Sequence, residues 1–291
     1  MKLVVHSAAI AVVMTFAIAR AEADPIAVVA AENFYGDVAA QIGGNAVAVT
    51  SILSNPDDDP HLFEASPAVA RSLAGAKLVI YSGADYDPWM EKLLKASKAA
   101  NRRVIVVADL VHRKAGDNPH IWYDPKTMPV FARAFAAVLV AEDAAHKADY
   151  ESRLAAFLDS LKPIDDHVAR LKAKYTGTPV TATEPVFGYM ADAIGLVMRN
   201  KPFQLAIEND AEPTAPQVAA FENDLKKHAV KVLFYNSQAT EELTKRLQTL
   251  ADDSHVPVVG VTETEPPGVT FQAWMAGQLD ALDKALADGA R

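Results

Sequence analysis

The chain has 291 residues, of which 51% are hydrophobic and 22% charged, and it contains no cysteine. The formal charge of −9 disfavours a broad nucleic-acid interface, and the lack of thiols excludes disulfides, thiolate metal sites and cysteine nucleophiles. The length suits one large α/β domain or two medium-sized lobes, and any chemistry must come from histidines, carboxylates, hydroxyls or backbone groups.

Residues 1–23 have the layout of a secretory signal peptide. Lys2 is followed by a mostly apolar run, and Ala21 and Ala23 provide a small-x-small cleavage pattern. The apolar run is shorter than the roughly 20 residues that span a bilayer. Because there is no cysteine to carry a lipid at the cleavage site, we expect a periplasmic protein that is not a lipoprotein and has no direct membrane anchor.

Short β-branched runs then alternate with helical patterns in two series. In the first series, strands are predicted at 26–30, 47–53, 77–82 and 104–108, with helices at 33–42, 66–74 and 87–99. In the second series, strands are predicted at 180–183, 196–205, 232–235 and 258–261, with helices at 186–194, 215–228, 240–254 and 271–287. This alternation favours parallel sheets covered by helices.

Between the two series, apolar residues recur at helical spacing over 142–174. Pro163 is expected to kink or break this helix. We predict an N-terminal lobe at 24–141, a linking helix at 142–174 and a C-terminal lobe at 175–291. The alternative is a single domain that contains two shorter helices here.

Four side chains lie just beyond the C-terminal ends of predicted strands. His61 follows the second strand, His120 the fourth, Glu184 the fifth and Glu263 the last, with Glu265 two residues further on. Ligand sites in open α/β sheets form outside the carboxyl ends of the strands, so two facing sheets would place these groups in one cleft. Two imidazoles and two carboxylates suit a divalent transition metal, and spacing alone does not choose between the last two glutamates.

Each of these residues also has an ordinary structural role open to it. A histidine after proline is often a surface residue, Glu184 could cap the next helix, and Glu263 and Glu265 could be turn residues. Three functions stay open: metal capture for transport, an extracytoplasmic metal-dependent hydrolase using the same residues, and binding of an organic solute. The sequence contains neither a His-Glu-x-x-His motif nor a nucleophile elbow, and these are the motifs that would support the hydrolase.

Several stretches resemble a known family. Residues 59–67, Asp-Pro-His-Leu-Phe-Glu-Ala-Ser-Pro, look like its first metal motif, and residues 118–125, Asn-Pro-His-Ile-Trp-Tyr-Asp-Pro, are similar to its most diagnostic stretch. Residues 81–90 and 187–189 also match. The family is the zinc- and manganese-binding solute-binding proteins of ABC transporters (cluster A-I, or cluster 9), and the resemblance covers essentially the whole chain after residue 23.

The resemblance implies two Rossmann-like lobes with parallel sheets, joined by one long rigid helix, with one divalent metal ion as cargo between them. It places the ligands at His61, His120, Glu184 and Glu263, with Glu265 as the alternative to Glu263. It implies a monomeric capture protein rather than an enzyme, and a partner in the membrane permease of an ABC transporter.

Departures from the family pattern bear on the metal. The loop at 111–117 is short and has one histidine, where zinc-binding members commonly carry a His-rich acidic loop, and the motif that often reads Glu-Ser is here Asn236 and Ser237. A glutamate in place of a third histidine makes the ligand set harder, so we expect Mn²⁺ to be slightly favoured over Zn²⁺.

Trp122 and Phe187 are expected to shield the site from water. The candidates to orient the imidazoles are Asp58, Asp59, Asp117 and Asp124.

Overall fold

The computed structural model describes residues 24–55, 63–209, 211–238 and 242–288. The first half of the chain forms one parallel sheet. Its strands are β1 (Ile26–Glu32), β2 (Val47–Leu53), β3 (Leu78–Tyr81) and β4 (Arg103–Val106). They lie in the order β2-β1-β3-β4, with Val28 paired to Val49 and Val29 to Val79.

Five helices accompany this sheet in the described residues, and the first three begin and end near their predicted bounds. They are α1 (Asn33–Gly43), α2 (Pro67–Gly75), α3 (Pro88–Ala96), α4 (Val107–Leu110) and α5 (Thr127–Glu142). The helix α5 is absent from the sequence prediction, although its Phe131, Phe135 and Leu139 are fully buried. The predicted strand at 104–108 ends early, because α4 begins at Val107.

The connection between the two halves is helical and has one break. The helix α6 (Lys147–Ser160) packs against α1 and α5, while α7 (Lys162–Tyr175) packs against helices of the second half. Leu161 lies between them in a right-handed helical conformation, and Pro163 occupies the first turn of α7, where a missing N–H is tolerated. The break predicted from Pro163 is therefore confirmed.

The second half repeats the architecture of the first. Its strands are β5 (Pro179–Ala182), β6 (Val197–Met198), β7 (Leu233–Asn236) and β8 (Val258–Val261), all parallel and in the order β6-β5-β7-β8. Its helices are α8 (Gly188–Ile194), α9 (Lys201–Glu208), α10 (Ala215–Lys226), α11 (Glu242–Asp253) and α12 (Phe271–Asp288). Because both sheets have the strand order second-first-third-fourth, the prediction of two similar α/β lobes is confirmed.

One predicted strand is wrong. Residues 196–205 form only the short β6 and then turn into α9. Asn200 adopts a left-handed conformation with φ of 58°, and Pro202 follows in the first turn of α9, where its fixed φ suits a helix. These two residues end the strand, although the apolar residues around them suggest that it continues.

The two lobes share a large hydrophobic core, and each lobe has a smaller buried cluster of its own. A single buried cluster contains residues from both sheets and from α1, α5, α7, α8 and α12. Phe34 of the first lobe lies 5.8 Å from Trp274 of the second, and Tyr123 lies 5.5 Å from Phe187, both measured between ring centroids. None of the helices in the described ranges combines the length and the apolar character needed to cross a bilayer.

Candidate metal centre

Three of the predicted ligands lie together where the lobes meet. His120 Nε2 of the first lobe is 3.4 Å from Glu263 Oε2 of the second. The side-chain amide of Asn236, the last residue of β7, donates one hydrogen bond to Glu184 Oε2 at 2.5 Å and one to Glu263 Oε1 at 2.6 Å. A single amide group thus holds the two carboxylates together, and Glu263 lies beside the imidazole.

The histidine ring is oriented by a neighbour on its own loop. His120 Nδ1 is 2.9 Å from Asn118 Oδ1, which also accepts a hydrogen bond from the His120 backbone at 3.1 Å. An amide oxygen only accepts, so Nδ1 carries a proton, and Nε2 is the ring nitrogen that faces Glu263. The asparagine also crosses the lobe boundary, because its amide nitrogen donates to the Pro185 carbonyl at 2.8 Å.

These groups are removed from solvent. His120 and Glu263 are 0% exposed and Glu184 is 5% exposed. Trp122 contacts the His120 ring edge-on, with ring centroids 5.3 Å apart, and Tyr86 does so at 5.8 Å. Burial and the nearby carboxylates Glu263 and Glu32 raise the pKa of the Tyr86 hydroxyl well above its usual value, so this group stays neutral.

The loop that carries Glu263 is held by hydrogen bonds from several directions. Gln238 Oε1 accepts from the backbone N–H of Glu263 at 2.6 Å and of Thr264 at 3.2 Å. On the other side, the Tyr123 hydroxyl donates to the Thr262 carbonyl at 2.7 Å, and Trp274 Nε1 donates to the Thr262 hydroxyl at 3.0 Å. The backbone around Glu263 is therefore positioned by both lobes.

Glu265, the alternative to Glu263, has different neighbours. Its backbone N–H donates to Asn33 Oδ1 at 3.0 Å, and Asn33 Nδ2 donates to its carbonyl at 2.6 Å. Burial, with a further contribution from the charge of Asp37, raises the pKa of its carboxyl to about 9. Its contacts are thus with α1, whereas those of Glu263 are with His120 and Asn236.

The first predicted ligand, His61, lies outside the described residues, as do Asp58 and Asp59. Over the described ranges, no group of three or more His, Asp or Glu side chains is arranged to hold a metal ion. The three predicted ligands that the structure describes therefore do not by themselves form a metal site in it.

The other candidates to orient the imidazoles have local roles. Asp117 accepts from the Lys114 backbone at 3.1 Å, and Asp124 accepts from the Lys126 backbone at 3.0 Å and lies 3.6 Å from Arg113. Both therefore stabilise loops rather than contact His120. Of the expected shielding residues, Trp122 lies against the imidazole, while Phe187 stacks on Phe234 with ring centroids 4.5 Å apart.

Sequence reasoning missed three side chains at the centre. Asn118 stands two residues before His120, a spacing at which a side chain reaches back to the ring. Asn236 was singled out as a departure from the family pattern but was given no role. Glu208, whose Oε2 lies 3.8 Å from His120 Nε2, falls just after the wrongly predicted strand.

Comparison with known proteins identifies the family. A family model described as "Zinc-uptake complex component A periplasmic" matches residues 28–285. The chain belongs to this family. It is therefore a metal-binding component of an ABC uptake system and not an enzyme, so the prediction of capture for transport is confirmed and the hydrolase and organic-solute alternatives are wrong. Substrate-binding components of this kind carry the metal as cargo and work with a membrane permease.

Individual relatives agree with this assignment. The chain is 24% identical over 92% of both chains to the metal ABC transporter substrate-binding lipoprotein SsaB of Streptococcus sanguinis. It is 25% identical to the manganese ABC transporter substrate-binding lipoprotein PsaA of Streptococcus pneumoniae, over 92% of this chain and 91% of the relative. The periplasmic zinc-binding protein TroA of Treponema pallidum has the same fold, with a TM-score of 0.76 at 19% identity over 89% of this chain and 98% of TroA.

The comparison corrects one prediction. SsaB and PsaA are both named lipoproteins, which contradicts the expectation that the protein is not a lipoprotein and leaves the expected absence of a direct membrane anchor unsupported. That expectation rested on the lack of cysteine in the sequence. The lack of cysteine bears only on attachment of a lipid through a thiol. It does not exclude other kinds of membrane attachment. The extracytoplasmic location itself is supported.

Proposed function

We propose that this protein captures one divalent transition metal between its lobes through His61, His120, Glu184 and Glu263, and delivers it as a monomer to its permease. The proposal takes the lobes as 24–141 and 175–291, with 142–174 as the connection. The observation that carries it is the meeting of His120 Nε2 with Glu263 Oε2 across the lobe boundary, at 3.4 Å.

The separation of these two atoms suits a shared metal ion. Ligand atoms bound at about 2.1 Å in a tetrahedron lie about 3.4 Å from each other. Asn236 supports the same arrangement, because it holds Glu184 next to Glu263 rather than leaving the two carboxylates to repel each other. Ligands from both lobes would let a bound metal add to the contacts that already join the lobes.

The chemistry of the site is binding without reaction. The imidazole coordinates in its neutral form through Nε2, in the tautomer that the Nδ1 hydrogen bond to Asn118 selects, and the carboxylates coordinate as anions. Two carboxylates offset the charge of a dication, which reduces the cost of burying it. Because protons compete for the same atoms, metal affinity should fall as the pH is lowered through the titration range of histidine.

One experiment tests the ligand assignment with a control from the same loop. His120→Ala and Glu263→Ala should each weaken metal binding by at least about 100-fold, since each removes a donor atom. Glu265→Ala should change affinity by less than about threefold, because its contacts are with α1. Competition titration against a chromogenic chelator measures all three. Equal losses in Glu263→Ala and Glu265→Ala, or unchanged binding in His120→Ala, would reject the assignment.

We further propose that Mn²⁺ is slightly favoured over Zn²⁺. The support is the glutamate at position 184, an oxygen donor that is harder than an imidazole. The relatives carry both metals in their names, manganese for PsaA and zinc for TroA.

The metal preference can be tested by placing a nitrogen donor at position 184. Glu184→His should shift the Zn²⁺-to-Mn²⁺ affinity ratio toward zinc by about tenfold or more, because imidazole suits zinc better than manganese. Competition between the two metals in a single titration measures the ratio directly. An unchanged ratio would contradict the hardness argument.

A further inference from the structure

We propose that Gly188 and Tyr189 of the second lobe position the imidazole of His120 in the first lobe. Both act through Asn118, the residue that orients the ring. The inference rests on the proposed metal site between the lobes, and it gives a role to the motif at 187–189. Gly188 and Tyr189 are positioning residues, and neither is among the proposed ligands.

The second lobe holds Asn118 at two different atoms. Its backbone carbonyl accepts a hydrogen bond from the Tyr189 hydroxyl at 2.8 Å, and its amide nitrogen donates to the Pro185 carbonyl at 2.8 Å. The remaining side-chain atom, Oδ1, lies 2.9 Å from His120 Nδ1 and accepts from the His120 backbone at 3.1 Å. The backbone and the side chain of Asn118 are thus both fixed from the second lobe.

Tyr189 is itself held by the first lobe. The guanidinium of Arg113 lies over its ring, 4.6 Å from the ring centroid, and is 3.6 Å from Asp124. Burial raises the pKa of the Tyr189 hydroxyl, so the hydroxyl keeps its proton and donates to Asn118. The ring and the hydroxyl of Tyr189 therefore contact one segment of the first lobe, residues 113–124.

Position 188 leaves room for the Asn118 amide. A Cβ atom there would lie 2.8 Å from Asn118 Nδ2, which is well inside ordinary packing distance. Gly188 begins α8 and does not have the positive φ that would require glycine, so alanine suits its backbone. Alanine would instead displace the amide, which would then lose its bond to Pro185 and its position beside the imidazole.

These contacts couple the lobes to the orientation of the imidazole. Separation of the lobes would break the bonds of Tyr189 and Pro185 to Asn118 at the same time. Groups that orient a metal ligand commonly change metal affinity by about 10–100-fold. Because the contacts form across the lobe boundary, their loss should appear mainly as faster metal dissociation.

The first test is Gly188→Ala. It should raise the Mn²⁺ dissociation rate by about tenfold or more and change the association rate by less than about threefold. Gly277→Ala in α12 is the matched control and should leave both rates unchanged, because a Cβ there meets no described atom within 4 Å. Stopped-flow mixing with Mn²⁺, and then with excess chromogenic chelator, measures the two rates. Equal dissociation rates in the two variants, or a loss confined to association, would overturn the proposal.

Tyr189→Phe tests the hydrogen bond without adding an atom. It should raise the Mn²⁺ dissociation rate by about three- to tenfold, since one hydrogen bond to Asn118 is lost. Tyr175→Phe is the control, because it removes a hydroxyl that donates to Asp283 at 2.9 Å on the far side of the second lobe from α8. A general loss of stability would affect both variants, so equal dissociation rates would contradict the role of Tyr189.

A double variant separates positioning from packing. In an Asn118→Ala background, Gly188→Ala has no amide to displace and should change the dissociation rate by less than about threefold. The same increase with and without Asn118 would show that Gly188 does not act through it. Failure of the underlying metal site is distinguishable, because His120→Ala would then bind metal like wild type. If His120→Ala loses metal while Gly188→Ala and Tyr189→Phe match their controls, only the positioning proposal fails.

Discussion

Asn236 determines how two carboxylates are placed at the candidate site. Its amide nitrogen has two protons, and the structure uses one for Glu184 and one for Glu263. Its amide oxygen accepts from the backbone of Gln238, which in turn holds the Glu263 loop. In the proposed site, Asn236 would therefore act on the metal through its neighbours, as groups around a metal site commonly do.

Asn236→Ser should weaken metal binding by about 10–100-fold, because the carboxylates lose the donor that keeps them together. Asn223→Ser on the exposed face of α10 is the control and should leave affinity unchanged. Chelator competition measures the affinity, and circular dichroism checks that the fold is retained. Wild-type affinity in Asn236→Ser would show that the carboxylates are positioned without it.

At the residue scale, the sequence indicates the proposed donors but not the groups that contact and orient them. His120, Glu184 and Glu263 stand out because they follow strands of a parallel sheet, where side chains from different strands meet. The sequence does not distinguish Asn118 and Asn236 from other polar residues. Asn118 is hydrogen-bonded to one particular ring nitrogen of His120, and Asn236 to a residue far away in the sequence, and neither contact can be read from the sequence.

At the scale of elements, a pair of buried carboxyl groups joins β1 to α3. Glu32 ends β1 and Asp87 precedes α3, and both are almost completely buried. The backbone N–H groups of Ser82 and Gly83 donate to Asp87 at 2.7 and 2.8 Å, which favours its anionic form. Burial raises the pKa of Asp87 to about 6, and burial together with the charge of Asp87 raises that of Glu32 well above its usual value.

This pair should make the metal-free protein less stable as the pH rises. Folding raises the pKa of such a carboxyl, so above about pH 4.5 the folded protein keeps a proton that the unfolded chain has already lost. The free energy of unfolding therefore falls as the pH rises above about 4.5, and the carboxyl has no such effect at lower pH. Glu32→Gln removes the penalty and should raise the free energy of unfolding by about 1–3 kcal/mol at pH 8, with little change near pH 4.5.

Urea unfolding at the two pH values measures this difference. Glu91→Gln on the exposed face of α3 serves as the control and should have little effect at either pH. A variant that is less stable than wild type at pH 8, or that gains equally at pH 4.5, would contradict the assignment of the proton to Glu32.

Prediction at the element scale succeeds where local patterns agree with the fold. The strands β2 and β8 begin and end where their β-branched runs do, because strands buried in parallel sheets are short apolar runs. The helix α9 was missed because its apolar residues continue those of β6, and the conformation of Asn200 depends on Asp224 of α10, which is distant in sequence.

At the scale of the whole molecule, the lobes are joined by far more than the connecting helices. The shared core is supplemented by hydrogen bonds that cross the boundary, among them those of Asn33 with Glu265 and of Asp37 with the Phe271 backbone. Tyr123 of the first lobe contributes its hydroxyl to Thr262 and lies 2.9 Å from Gln278 Oε1 of α12. Such contacts favour a small movement of the lobes when metal is released.

The shared core predicts that both lobes unfold together. In urea, tryptophan fluorescence and far-ultraviolet circular dichroism should report one coincident transition. Tyr123→Phe should lower the free energy of unfolding by about 1–3 kcal/mol, because buried partners lose a hydrogen bond, and the single transition should persist. Two separate transitions in the wild-type protein would show that the lobes are independent.

The most direct test of metal capture between the lobes is anomalous diffraction at the manganese edge from crystals of the Mn²⁺-loaded protein. We predict one strong peak between the lobes, within about 2.5 Å of His120 Nε2 and of an oxygen of Glu263. A peak confined to the outer surface, or one between the lobes that contacts neither residue, would contradict the account.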